Sequence, residues 1–158
     1  MALHCTTPLL LCRLYAPELV RRGGGAILLM SSATAWMPYP TIAAYAATKS
    51  FLHSFARSLD SELRARGVHV TAVYPGAVDT PLYNLSDAWR RRLRRWGVML
   101  PPEAVARKGL KALFRGRHRC IPGLFTKLCV ALCRIVPAAA IRPALRIPAL
   151  RRLLQRSE

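Results

Sequence analysis

The sequence predicts an α/β fold, in which a parallel sheet is covered by helices and followed by a basic helical tail. Three observations predict it. Two short apolar runs, "AILLMSS" and "VHVTAVYPG", each follow a longer segment with helical spacing. Both runs are continuous rather than alternating, as strands buried on two faces are. Glycines mark the turns between the segments.

Taken in order, residues 6–22 predict an amphipathic helix with Leu10, Leu14, Pro17 and Val20 as its apolar positions. "RRGGG" closes it, with basic residues in the last turn and glycine after the end. "AILLMSS" is the first strand. Residues 43–66 predict a long helix on which Phe51, Phe55, Leu59 and Leu63 stack at intervals of four. Gly67 stops that helix, and Val68, Val70, Ala72 and Val73 form a second strand that ends at Pro75-Gly76. After Thr80 comes an arginine-dense stretch, "PLYNLSDAWRRRLRRWGVML". A helix over "PPEAVARKGLKALFRG" and a short strand over "RHRCIPG" follow. Residues 121–158 read as a basic amphipathic tail cut by Pro137, Pro143 and Pro148.

Bulk properties narrow the class. At 158 residues and 53% hydrophobic content, the chain has the length and apolar content for one packed core. Residues 1–89 hold seven basic and five acidic side chains, whereas residues 90–158 hold eighteen and two. Two regions with different electrostatic roles are thus joined. Arginine outnumbers lysine 21 to 4, which fits codon bias as well as anion binding. The five cysteines make no metal pattern and no CxxC pair, so no metal site is expected and a reducing, cytoplasmic setting is. The first twenty residues lack the basic start and cleavage site of a secretion signal. No stretch reaches the roughly 18 uncharged apolar residues of a membrane span.

Right-handed crossovers in such a sheet bring the strand ends together, and ligands bind at those ends. Ser31 and Ser32 stand at one end, and Pro75 and Gly76 at the next. Tyr45 and Lys49, at i and i+4, share a helical face. An ammonium near a phenol stabilises the phenolate, and a tyrosine so tuned exchanges a proton with a carbonyl or alcohol oxygen. Ser32 is placed to hold the same oxygen by a hydrogen bond. A Tyr-xxx-Lys pair alone is weak evidence, since chance supplies it readily.

The ordered set "G-x-I-x-x-x-S-S", "Y-A-A-T-K" and "P-G-A-V-D-T" resembles the short-chain dehydrogenase/reductase family, from about residue 3 to about residue 82. The resemblance implies a partial Rossmann-like, doubly wound parallel sheet spanning residues 1–120. It implies an oxidoreductase that uses NAD or NADP to interconvert a secondary alcohol and a ketone. Tyr45 is then the catalytic acid/base, Lys49 binds the nicotinamide ribose and tunes Tyr45, and Ser32 orients the substrate oxygen. Pro75, Gly76, Val78 and Thr80 would touch the nicotinamide end. Residues 81–100 correspond to the variable lid over the substrate, so "DAWRRRLRRW" is a lid with a basic outer face, a plain solvated helix or a nucleic-acid contact, the last least favoured. Trp36, Met37 and Tyr39 either line the substrate pocket or pack the loop. Self-association through the helices around residues 6–22 and 43–66 is also implied.

Two departures stand out. Where the family has a catalytic asparagine, ungapped alignment places His4, which either serves the proton relay or is simply solvated. The family's TGxxxGxG turn and NNAG strand are not in these 158 residues, and Gly23 to Gly25 follow a helix instead of opening one. About 90 residues of dinucleotide-binding half are therefore expected beyond this sequence. The chain by itself is expected to hold the cofactor poorly. The tail suits an anionic membrane surface and with it a lipid-like substrate. The rival reading is a non-catalytic module that binds membrane or nucleic acid through its basic half.

Overall fold

The computed structural model describes residues 1–36, 42–83 and 85–135. A π-helical turn, Ala2–Thr6, leads into α1, Thr7–Arg21, which is followed by strand β1, Gly25–Met30. A short 3-10 turn, Ala33–Trp36, precedes the long helix α2, Ala43–Leu63. Next come β2, Val68–Val73, and the two-residue β3, Ala77–Val78. The remainder comprises α3, Asp87–Arg95, β4, Met99–Leu100, α4, Pro102–Leu113, β5, Arg119–Cys120, and α5, Leu124–Ile135.

β1, β2 and β5 form one parallel sheet with β2 in the middle. β3 and β4 pair in parallel as a small separate sheet. Gly25 is opposite Val68 and Met30 opposite Val73, so the two apolar runs pair along their full length. Val68, Val70 and Val73 have no exposed surface, as the continuous apolar run predicts for a central strand. Each contributes about 1.5–3 kcal/mol of burial.

Helices cover both faces. Cys12 and Ala16 of α1 and Ala56 and Leu63 of α2 form one core with Leu29, Val68, Val70 and Ala72. On the opposite face α4 lies so close that a Cβ at Gly109 would meet Val73 Cγ2 at 3.1 Å and Leu28 Cδ1 at 3.6 Å. The doubly wound α/β architecture predicted for the chain is therefore present. The turns at the bottom of the sheet rest on each other: Gly24 and Gly67 both take positive φ, and a Cβ on either would sit 2.9 Å from a glycine carbonyl oxygen of the other turn.

Two helical faces differ from expectation. On α1, the small side chains Cys12 and Ala16 meet the sheet, while Leu10 and Leu14 are 55% and 66% exposed. Helix and strands approach most closely through small residues, which turns the leucines outward. On α2 the buried stripe is Leu52, Ala56 and Leu63, with Phe51 and Phe55 stacked on its flank at 5.7 Å and 9°. One polar group belongs to this core. Asp60, buried on α2, accepts the Val70 backbone N–H at 2.7 Å and the Nε and Nη2 donors of Arg64. β5 pairs only with Ala72 and Val73, so Asp60 takes the place of a strand at Val70.

Candidate active site

The two strand ends predicted to form one crevice are hydrogen-bonded side by side. Ser31 N donates to Val73 O and Ala33 N donates to Pro75 O, both at 2.9 Å. This places the Ser-Ser pair directly beside Pro75-Gly76. Ser31 Oγ then donates to the Lys49 carbonyl at 2.9 Å, tying the end of β1 to α2. Ser31 and Ser32 are both buried, and Ser32 Oγ accepts the Thr34 backbone N–H at 3.2 Å. Among the described residues no hydrogen bond joins the Ser32 and Tyr45 hydroxyls.

Lys49 is buried, and its Nζ donates to the Met30 carbonyl at 3.1 Å. That bond fixes the ammonium 5.4 Å from the centroid of the Tyr45 ring, within cation–π range. Burial holds the Lys49 pKa below its ordinary value, and the nearby Cys5 pulls it part of the way back up. Tyr45 is 38% exposed, so its ring is open to a ligand while Lys49 behind it is not.

His4 reaches this pair. Its ring stands edge-on to Tyr45, with centroids 5.5 Å apart, and its Nδ1 lies 3.2 Å from Thr48 Oγ1. The Thr48 hydroxyl proton is already committed to the Tyr45 carbonyl, at 2.7 Å. Thr48 Oγ1 must then accept from His4, which puts the imidazole proton on Nδ1 and leaves Nε2 as an acceptor. Burial, reinforced by the Lys49 charge, lowers the His4 pKa and favours this neutral form.

Val78 lies in β3, held by its pairing with Leu100, and Thr80 N donates back to Val78 O at 2.8 Å. Both follow Gly76 along the chain, with no hydrogen bond to Tyr45 or Lys49 among the described residues. Gly76 is a close-approach position, because a Cβ there would meet Thr126 Oγ1 at 2.5 Å. Trp36 packs inward on His53, at 4.2 Å, and on Tyr74, at 5.5 Å, which is the loop-packing alternative. Met37 and Tyr39 lie outside the described residues. His53 also packs, with its Nδ1 2.8 Å from the Tyr74 hydroxyl. Among the described residues no cluster suited to a metal ion occurs, and no helix is long and apolar enough to cross a membrane.

Three contributors escaped sequence reasoning. Thr48 carried a signal, since it lies at i+3 from Tyr45, where it can bond back to the Tyr45 carbonyl. The Met30 carbonyl carried none, being backbone. Asp79 reads from sequence as a turn cap; instead it pairs with Arg90, at 2.6 Å, and with Arg94, at 3.3 Å. Its carboxylate thus fastens α3 to the loop after Gly76. Asp79→Asn is expected to raise amide hydrogen exchange across residues 87–95 about tenfold. Unchanged exchange there would mean that α3 is held by other contacts.

Known proteins resemble this chain in both sequence and fold. A family model described as short chain dehydrogenase matches residues 1–91. A very-long-chain 3-oxoacyl-CoA reductase of Pyricularia oryzae is 34% identical over 111 residues, covering 70% of this chain and 31% of the relative. A short chain dehydrogenase of Burkholderia cenocepacia, solved in complex with NADP, is similar over 90% of this chain and 57% of its own, with a TM-score of 0.73 and 22% identity. Another from Sphingobium yanoikuyae, in complex with NADPH, is similar over 77% of this chain and 46% of its own, with a TM-score of 0.63 and 26% identity. Matches to the curated relatives span a third or less of their length, 22% to 33%. With more than half its residues matched by the family model and its fold shared with solved members, the chain belongs to the short chain dehydrogenase family of oxidoreductases.

Proposed function

We propose that this chain carries the proton-transfer side of an NAD(P)-dependent oxidoreductase that interconverts a secondary alcohol and a ketone. The observation that carries the reading is the pairing of an accessible Tyr45 with a buried, backbone-anchored Lys49 at the joined ends of β1 and β2. Tyr45 gives its phenolic proton to the ketone oxygen in one direction and takes the alcohol proton in the other. Lys49 favours the phenolate as it forms, since its ammonium is held near the ring at low solvent exposure. Ser32 steadies the substrate oxygen once its hydroxyl turns toward the crevice. His4, with Nε2 free to accept, relays the proton through water toward solvent, in the place where the family uses asparagine.

A nicotinamide supplies or accepts the hydride at the carbinol carbon. Lys49 and Tyr45 would hold its ribose, and Pro75, Gly76, Val78 and Thr80 would meet its reactive end. The fit rests on the Lys49 ammonium, which has donor capacity beyond its bond to Met30. The glycine-rich phosphate cradle is not among these 158 residues, so the chain by itself is proposed to bind nicotinamide cofactors weakly. A lipid-like substrate, self-association through the outward leucines of α1 and contact with a membrane surface are proposed on the same footing. The tail beyond residue 135 lies outside the described residues.

The test replaces Lys49 by Met in the longest in-frame polypeptide that carries these residues. NADPH fluorescence titration and turnover of a panel of ketones are expected to show cofactor affinity reduced about tenfold or more and turnover lost. A folded Lys49→Met protein with full affinity and full turnover would remove the assignment.

A further inference from the structure

Away from Tyr45 and Lys49, a groove of about 490 Å3 opens between α4 and α5 along the β5 edge of the sheet. Lys108 and Lys111 line it from the last turns of α4, with Arg115 just past that helix. Arg117 and Arg119 border the sheet edge, and Lys127 and Arg134 face in from α5. Its lining holds seven cations and no carboxylate. Between the cations the walls are apolar, formed by Ala112, Ile121 and Val130.

The groove cations are set apart by sharing one concavity that no carboxylate lines. Elsewhere in the described residues several arginines meet a carboxylate: Arg21 and Arg22 share Glu18, Arg64 has Asp60, and Arg90 and Arg94 share Asp79. None of the seven groove cations pairs with a carboxylate among the described residues. Like charges gathered around one concavity repel, and the repulsion is relieved by an anion that several of them reach at once. Arginine forks and lysine ammoniums together match phosphate oxygens. The volume is that of a small-ligand site. A duplex would instead call for a stripe that runs on along its backbone.

We propose that the α4–β5–α5 groove is a binding site for a ligand carrying clustered phosphates, with the apolar walls taking part of its organic frame. The chemistry is shared by two sources, a soluble diphosphate and a phosphorylated lipid headgroup. Arg134 also ties the groove to the turn after β1, because its guanidinium lies over the Trp36 ring at 5.2 Å. The groove shares no residue with the proton-transfer site, so each stands or falls alone.

The test uses the 158-residue protein at low salt, where charge contacts are least screened. Calorimetry measures inorganic pyrophosphate and ADP, and co-sedimentation measures phosphatidylcholine vesicles that contain phosphatidylinositol bisphosphate. The paired substitution Lys111→Gln with Arg119→Gln is expected to weaken binding about tenfold or more. The control pair Arg91→Gln with Arg95→Gln removes the same charge from α3 and is expected to leave it unchanged. All four side chains are exposed, so the folded state survives both changes. Response to pyrophosphate and ADP identifies a soluble phosphate, and response to vesicles alone identifies the headgroup. Equal losses from both pairs, the absence of any binding, or a random DNA duplex bound as tightly as ADP would each overturn the proposal.

Discussion

Tyr45→Phe is expected to lower turnover by about three orders of magnitude while leaving the fold intact. The hydroxyl removed is the group proposed to exchange the proton with the substrate oxygen, and the ring that remains keeps every contact the structure gives it. Those contacts are the edge-on packing of His4 and the Lys49 ammonium 5.4 Å from the centroid. Neither requires the phenol oxygen. The Tyr45 carbonyl, which accepts from Thr48, is backbone and unaffected. The variant therefore separates chemistry from structure. The measurement is steady-state turnover with NADPH and a responsive ketone, in the longest in-frame polypeptide, beside circular dichroism of the same sample. Full activity in a folded Tyr45→Phe protein would end the acid/base assignment. A conspicuous loss of helix would instead show that the hydroxyl has a packing role the structure does not reveal.

Asp60→Ala is expected to cost about 2–3 kcal/mol, which in a chain of this size lowers the melting temperature by roughly 6–10 °C. The carboxylate performs two tasks that no neighbour can assume. It accepts the Val70 N–H where β5 is too short to supply a carbonyl, and it receives Arg64, which also donates to Gly116 O. Removing it leaves a buried backbone donor without a partner at the centre of the sheet. The Arg64 half of the interaction contributes less, because that side chain is 46% exposed and screened by water. Arg64→Ala should therefore cost well under half as much. Thermal melts of the two variants check both values, and equal losses would place the stabilisation in the ion pair rather than in the bond to Val70.

The layered α/β order was legible because its signals are local. Continuous apolar runs, helical spacing and glycine at the turns act within a few residues of each other, and β1 and β2 pair along the whole of the runs that predicted them. The site was legible for a similar reason. Tyr45 and Lys49 are one helical turn apart, and Ser32 and Pro75-Gly76 end consecutive strands, so topology alone makes them neighbours. The inward face of α1 was not legible. Hydropathy favours Leu10 and Leu14, but close contact between helix and strands selects Cys12 and Ala16.

By itself, then, the sequence determined the fold class and the strand ends that meet, and it named the residues proposed to handle the proton. Tertiary structure alone decided that Asp79 fastens α3 through Arg90 and Arg94, that Asp60 completes the ladder at Val70, and that Met30 anchors Lys49. It also decided that seven dispersed cations share one groove. The reason is physical: a backbone carbonyl leaves no residue signature, and a charge finds its partner across space, at separations where spacing along the chain carries no information.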